Sequence, residues 1–398
     1  MRWGLGGVAA LIALTGAAVA AEPDLSGYIS LEPRIYPAEA KFPRQHDSAV
    51  SPSLALQPEI RWDLDDEQRI TFIPFGRLDA NDNERAHWDV RELNWLYDAG
   101  DWDLRVGLGK VFWGVAESRH LVDVINQTDF VEASDEEDKL GQPMINANVI
   151  TGIGTFSGFV LPYFRERTFP GPRGRPSFPI RVDEDRAVYE SSEDERHVDF
   201  AVRWQERLSI IDIGVAHFRG TGREPRLVPT LIPGGPVLVP HYDLIDQSSV
   251  DAQATLEAWL LKFEAIVRSG QGDTFFATVA GFEYTLYQIF GSGKDLGLIA
   301  EYHYDGRDAF APFTIFNNDL MMGARLAFND EDDSSILAGL IFDIEEQTTL
   351  MTVEAATRIG ENLKFELEAR AFPYVANGTV EANFERDHTI ELHLLRYF

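Results

Sequence analysis

The chain has 398 residues, with 65 Asp and Glu against 35 Lys and Arg, a formal net charge of −30. That sign excludes nucleic acid as a partner, because phosphate binding needs clustered cations. The absence of cysteine excludes a lipoprotein anchor, a disulfide framework and thiolate chemistry.

Residues 1–20 read as a signal peptide for export. Arg2 gives a positive start, Gly7 to Val19 is apolar and small, and Ala18-Val19-Ala20 has the small-x-small form of a cleavage site. The run is too short for a ~20-residue membrane helix. Glu22, Pro23 and Asp24 then break it. No later run is long enough to span as a helix, yet hydrophobic residues make up 44% and aromatic residues 12% of the chain, at a mean hydropathy of −0.18. A membrane β-barrel reconciles these values, because only every second strand residue meets lipid.

Period-two alternation begins near Leu25 and runs to the C-terminus. Trp102, Leu104, Val106 and Leu108 alternate with Asp103, Arg105, Gly107 and Gly109. Val198, Phe200, Val202 and Trp204 alternate with Asp199, Ala201, Arg203 and Gln205. Leu320, Met322, Ala324 and Leu326 alternate with Met321, Gly323, Arg325 and Ala327. In the clearest case Leu363, Phe365, Leu367 and Ala369 oppose Lys364, Glu366, Glu368 and Arg370. A helix would scatter these charges over every face.

The connections alternate in length, as short periplasmic turns and long outer loops do. Short turns fall at 65–67, 98–100, 156–157, 207–208, 255–258, 291–294, 329–333 and 359–361. Longer stretches cover 38–51, 113–147, 167–195, 220–249, 305–317 and 374–387, with two short outer connections near Gly270 and Glu345. The expected fold is all-β: one transmembrane antiparallel barrel over 21–398 with about eighteen strands. Sixteen is the alternative if 252–267 is one long strand. The last strand ends at Phe398, similar to the C-terminal signal read by the barrel-assembly machinery, with Arg396 where an aromatic is usual. Membrane lipid and lipopolysaccharide are the surroundings such a barrel implies; its oligomeric state is left open.

The inserted segment 113–148 is the least ordinary part. Leu121, Val122, Val124 and Ile125 make it too apolar for a solvated loop. Folded into the barrel, it would place Glu117, Arg119, His120, Asp123 and Asp129 at a pore constriction. The alternative is a lid turned outward against a neighbouring loop or protomer. Arg165 and Arg167 open a second, basic loop, continued by Arg173, Arg175 and Arg181, that could face the acidic constriction. Lys364, Glu366, Glu368, Arg370, Arg203 and Arg325 are the expected lumen lining. Val228 to His241 reads as an apolar, Pro/Gly-rich loop.

Catalysis is not expected: His120 with Asp123, or His217, lacks a Ser and acid at any spacing that suggests convergence. His241 with Asp243 and Glu301 with His303 each pair two ligand types on one strand face without a third, so no metal or cofactor is expected.

The run from Val106 through Trp113-Gly114 and Asn126-Gln127-Thr128-Asp129 resembles a family of uncharacterised, porin-like proteobacterial outer-membrane proteins. Phe164 to Gly171, Gly220 to Pro225 and His241 to Gln247 are similar to the same group. The resemblance implies a barrel in the Gram-negative outer membrane and supplies no substrate. A passive channel for small hydrophilic solutes is the expected function. Transport or export of hydrophobic compounds or polymer, and a structural or adhesion barrel, are the alternatives.

Overall fold

The computed structural model describes residues 22–133 and 135–398; the signal-peptide expectation lies outside the described residues. Eighteen antiparallel strands form one sheet that closes on itself. The first strand, Asp24–Ile35, pairs with Val50–Asp63 on one side and with the last strand, Thr389–Tyr397, on the other. Every other barrel strand pairs with its neighbours along the chain. Closure leaves no unpaired edge, which is what allows a sheet to sit in hydrocarbon.

Alternation fixes which side of each strand looks outward. In Asp199–Leu208, Phe200 and Val202 are 52% and 60% exposed, whereas Ala201 and Arg203 are buried. In Asn318–Ala327, Met322 is exposed and Met321 buried. The exposed apolar residues form the outer band, and the inner face carries the polar set. The strand count resolves toward eighteen because Leu244–Leu256 and Trp259–Ser269 are separate strands. Glu257, at a φ of 54°, turns the chain between them.

Three boundaries differ from the sequence reading. Phe156 and Ser157 lie inside the strand Gly154–Leu161, and the reversal comes earlier, at Gly152 and Ile153. Gly154 there has a φ of 114°, and its Cβ would meet Gln205 O at 2.6 Å, so only glycine fits. Arg207 and Leu208 end their strand, and Ser209, at a φ of 60°, makes the turn. The inserted loop runs over 110–141, because the strand Gln142–Thr151 already claims the residues up to 148.

A second departure is the Val228 to His241 stretch. It forms a hairpin, Arg226–Ile232 with Gly235–Tyr242, joined in parallel by Val188–Tyr189. This small sheet stands at the long-loop end of the barrel. Among the described residues the helical elements are short 3-10 turns, and no helix is long and apolar enough to cross a membrane.

Candidate functional site

The loop 110–141 enters the barrel. Its apolar residues Trp113, Ala116, Leu121, Val122, Val124 and Ile125 join one buried cluster with inner-face residues of the wall, among them Met144, Phe159, Phe218, Ile266 and Val279. Trp113 meets Phe159 edge-on, with ring centroids 5.7 Å apart. Burial of each large apolar side chain is worth ~1.5–3 kcal/mol, enough to draw an otherwise irregular segment inward.

An irregular loop also brings backbone amides that need acceptors once water is excluded. Wall carboxylates supply them. Glu264, fully buried on Trp259–Ser269, accepts from the amides of Val115 at 2.6 Å, Ala116 at 2.9 Å and Val122 at 3.3 Å. Glu301, on Asp295–Asp305, accepts from the amides of Glu117 at 2.6 Å and Ser118 at 3.0 Å. Ser118 Oγ donates to Glu301 Oε2 and lies 2.7 Å from His303 Nε2. Gly114, at a φ of 140°, lets the chain bend here: a Cβ would sit 3.0 Å from both Glu264 Oε1 and His120 Nδ1. Asn126 pins the two ends of the loop together. Its Nδ2 donates to Gly109 O and Leu140 O at 2.9 and 2.8 Å, and its Oδ1 accepts from the Val111 amide at 2.9 Å.

Ion pairs attach the other side of the loop around the barrel. Glu132 takes Arg77 at 2.6 Å, and Arg77 also pairs with Glu32. Asp129 takes Arg91 at 2.5 Å and the Thr168 hydroxyl at 2.7 Å. Asp135 pairs with Arg370. Glu117 holds Lys262 at 3.0 Å and Arg325 at 2.6 Å.

The residues expected at a constriction therefore separate. Glu117 reaches across to the strand Asn318–Ala327. His120 pairs with Glu137 at 3.1 Å. Burial of His120 opposes its protonation, but the hydrogen bond and charge of Glu137 outweigh it and raise the His120 pKa above 6.5. Arg119 turns to Asp305 at 3.0 Å and covers the Phe316 ring. Asp123, near Lys139 at 3.5 Å, and Asp129 have no exposed side-chain surface; they hold the loop. Arg165 pairs with Asp89 at 2.8 Å and donates to Gly141 O, and Arg167 pairs with Glu136 at 3.0 Å, so the basic loop does meet the inserted one. Arg175 instead pairs with Asp387, and Arg181 with Asp183.

The lumen candidates share the inner face. Lys364 pairs with Glu366 at 2.7 Å, and Arg370 with Glu368 at 3.3 Å. Arg203 grips both oxygens of Asp251 at 2.7 and 2.9 Å beneath the Trp113 ring. Among the described residues, no hydrogen bond or ion pair joins the loop to the strands Ser335–Asp343 and Thr349–Ile359. On that side Glu117, Asp135 and Glu137 of the loop stand near Arg325, Glu354, Glu368 and Arg370 of the wall.

Sequence reasoning missed Lys262, Glu264, Glu301, Asp305, Arg77 and Arg91 as loop anchors. The period-two signal was present, since Lys262 and Glu264, or Glu301, His303 and Asp305, each share one strand face. At the long-loop end, the loops 36–49, 162–198 and 375–388 interlock. The fully buried Arg175–Asp387 pair, at 2.9 Å, joins the last two, and Tyr36 Oη donates to Arg175 O at 2.9 Å.

Comparison with solved structures places this fold among outer-membrane barrels. OccK9 (OpdG) of Pseudomonas aeruginosa aligns with a TM-score of 0.55 at 10% identity, over 95% of this chain and 98% of that one. Wzi, an outer-membrane protein involved in group 1 capsule assembly in Escherichia coli and described as a carbohydrate-binding β-barrel, aligns with a TM-score of 0.53 at 10% identity, over 95% and 85%. At that identity the likeness is one of fold. No family model and no curated protein sequence matches the chain, so the motif resemblance of 106–129 is matched only at the level of porin-like barrels.

Proposed function

We propose that this chain is a porin-like channel of the outer membrane that passes small hydrophilic solutes through an off-centre opening beside the inserted loop. One observation carries the reading: the loop 110–141 is clamped inside the barrel, yet among the described residues no hydrogen bond or ion pair ties it to the strands Ser335–Asp343 and Thr349–Ile359. A charged opening against a rigid wall selects solutes by size and field. The reading carries with it export behind residues 1–20 and insertion on a C-terminal strand ending at Phe398, whose amide donates to Gly27 O at 3.1 Å.

The test is single-channel recording of the refolded chain in planar bilayers. Stable open steps support a channel. A folded barrel that stays silent overturns it.

A second reading, a closed structural or adhesion barrel, is favoured by the interlocked outer loops, in which Arg175 and Asp387 are sealed from solvent. Silence in bilayers would favour that reading, whereas conductance would show that the interlock leaves a path.

A further inference from the structure

The small sheet at the long-loop end carries a cavity of about 380 Å³ that lies apart from the lumen ties. Its size falls in the ~300–1,000 Å³ range of small-molecule sites. Pairing register builds it: Arg226 stands opposite His241, and His241 opposite Val188, so the three side chains line up on one face. Tyr189 stands opposite Tyr242, and their rings stack with centroids 5.4 Å apart and planes at 26°. Glu190 follows, its amide bound to Tyr242 O at 2.9 Å.

Several polar atoms of this cavity are already fixed. Arg226 Nε and Nη2 donate to both oxygens of Asp243 at 2.7 and 2.6 Å. Glu190 Oε2 accepts from the Leu244 amide at 2.7 Å. The Tyr189 hydroxyl donates to Glu166, and Tyr242 Oη accepts from the Arg167 amide at 3.0 Å. These bonds hold the lining rigid and leave specific atoms over. Among the described residues, no hydrogen bond engages the His241 ring, Arg226 Nη1 or Glu190 Oε1. Donors and acceptors therefore stand together beside the exposed Val188, on the face opposite the stacked Tyr189 and Tyr242 rings.

We propose that this cavity binds a neutral saccharide unit. Adjacent sugar hydroxyls each donate and accept, which matches a free carboxylate oxygen, a free guanidinium N–H and a neutral imidazole within one cup. The apolar C–H face of a pyranose would pack on the exposed Val188 side chain, which lies on the same face as Arg226 and His241. Charge argues against the other small polar ligands. Glu190 and Asp243 repel an anion, and Arg226 opposes a compact cation. Burial and the nearby Arg226 both lower the His241 pKa, which favours the neutral ring this recognition needs. The site sits on the end that carries the long loops, so a glycan at the cell surface would reach it without entering the barrel.

The test is saturation-transfer NMR on the full refolded chain, in a detergent without a sugar headgroup. The probes are the methyl glycosides of glucose, galactose and mannose, with N-acetylglucosamine, and with glucuronate and putrescine as charged comparisons. Saturable transfer to the ring protons of at least one neutral sugar is expected. It should weaken at least ten-fold in His241→Ala and in Glu190→Gln, two exterior substitutions that leave the heat-dependent gel shift of the barrel unchanged. Three results overturn the proposal: no transfer to any neutral sugar, transfer that both variants retain in full, or binding of only glucuronate or putrescine. Channel conductance does not enter the readout, so failure here is separate from failure of the pore reading.

Discussion

Glu117 of the inserted loop joins two strands of the wall at once, accepting from Arg325 Nη2 at 2.6 Å through one oxygen and from Lys262 Nζ at 3.0 Å through the other. Its single charge offsets one of these two cations, and carboxylates remain in surplus there: Glu117, Asp135, Glu137, Glu354 and Glu368 stand against Arg325, Lys262 and Arg370. Glu354 has no hydrogen-bond or ion-pair partner among the described residues, and Glu368 and Glu137 are both partly exposed.

Cation preference is the expected consequence, and Glu117→Gln is the variant that tests it. A unit charge within 4 Å of a permeating ion is worth ~1 kcal/mol in water, a roughly five-fold change in local occupancy. The substitution frees Arg325 and Lys262, so the cation-over-anion permeability ratio should fall by up to about that factor. Reversal potentials in a salt gradient read this directly. A channel that stays equally selective would remove Glu117 from the path of the ions.

Arg77 carries the clearest stability prediction. Its guanidinium lies between Glu32 and Glu132, and all three side chains are at most 6% exposed. Arg77→Met removes the closest cation from two buried carboxylates, leaving Glu32 with Arg85 and His393 at 3.8 and 3.7 Å and Glu132 with His87 at 3.7 Å. The loss should therefore approach but not exceed the ~3–5 kcal/mol of a fully broken buried pair. Denaturant unfolding of the detergent-solubilised barrel should show that loss, and the additional changes Glu32→Gln and Glu132→Gln should recover part of it. A loss under about 1 kcal/mol would mean that water reaches the cluster.

The strands were legible because lipid on one side and polar lumen on the other force a period of two, and Phe200, Val202 and Met322 obey it. Turn positions were less so. Phe156 and Ser157 read as a turn in the sequence yet lie within the strand Gly154–Leu161, because the reversal is made earlier, at Gly152 and Ile153, ahead of Gly154 with its positive φ. The hairpin at 226–242 was missed because Pro229, Pro236 and Pro240 argue against a central strand, and here the sheet is a small one outside the barrel. The loop anchors were hidden for a different reason. Glu264 and Glu301 each show their face in the local pattern, but the pairing of Val115 with Glu264 spans 149 residues and that of Glu117 with Glu301 spans 184. No local period encodes such a register.

Glu264 tests whether the loop is held in place by its amides. Replacement by Gln leaves one acceptor oxygen and turns an NH2 group toward amide donors, so at least one of three buried N–H groups loses its partner. Each unmet buried donor costs ~1–3 kcal/mol. The loop should then sample detached states, seen as added current noise and larger open steps. Recordings indistinguishable from the unaltered chain would show that the apolar contacts of Trp113 and Ile125 hold the loop by themselves.

The clasp between His120 and Glu137 gives the loop a pH dependence of definite sign. The hydrogen bond from His120 lowers the Glu137 pKa below 4.5, and the raised His120 pKa lies above 6.5. The histidine contribution is present in full below about pH 6.5 and is lost as pH rises through its raised pKa. The glutamate contribution is present above about pH 4.5 and is lost as pH falls through its lowered pKa. Both contributions are in force together between those two values, so the loop should be quietest there and noisier on either side. In His120→Ala this optimum should disappear while the open conductance at neutral pH changes little. An optimum that survives the substitution would assign the titration to another group, and the nearest alternative is Asp138, whose carboxyl burial pushes up to about 6.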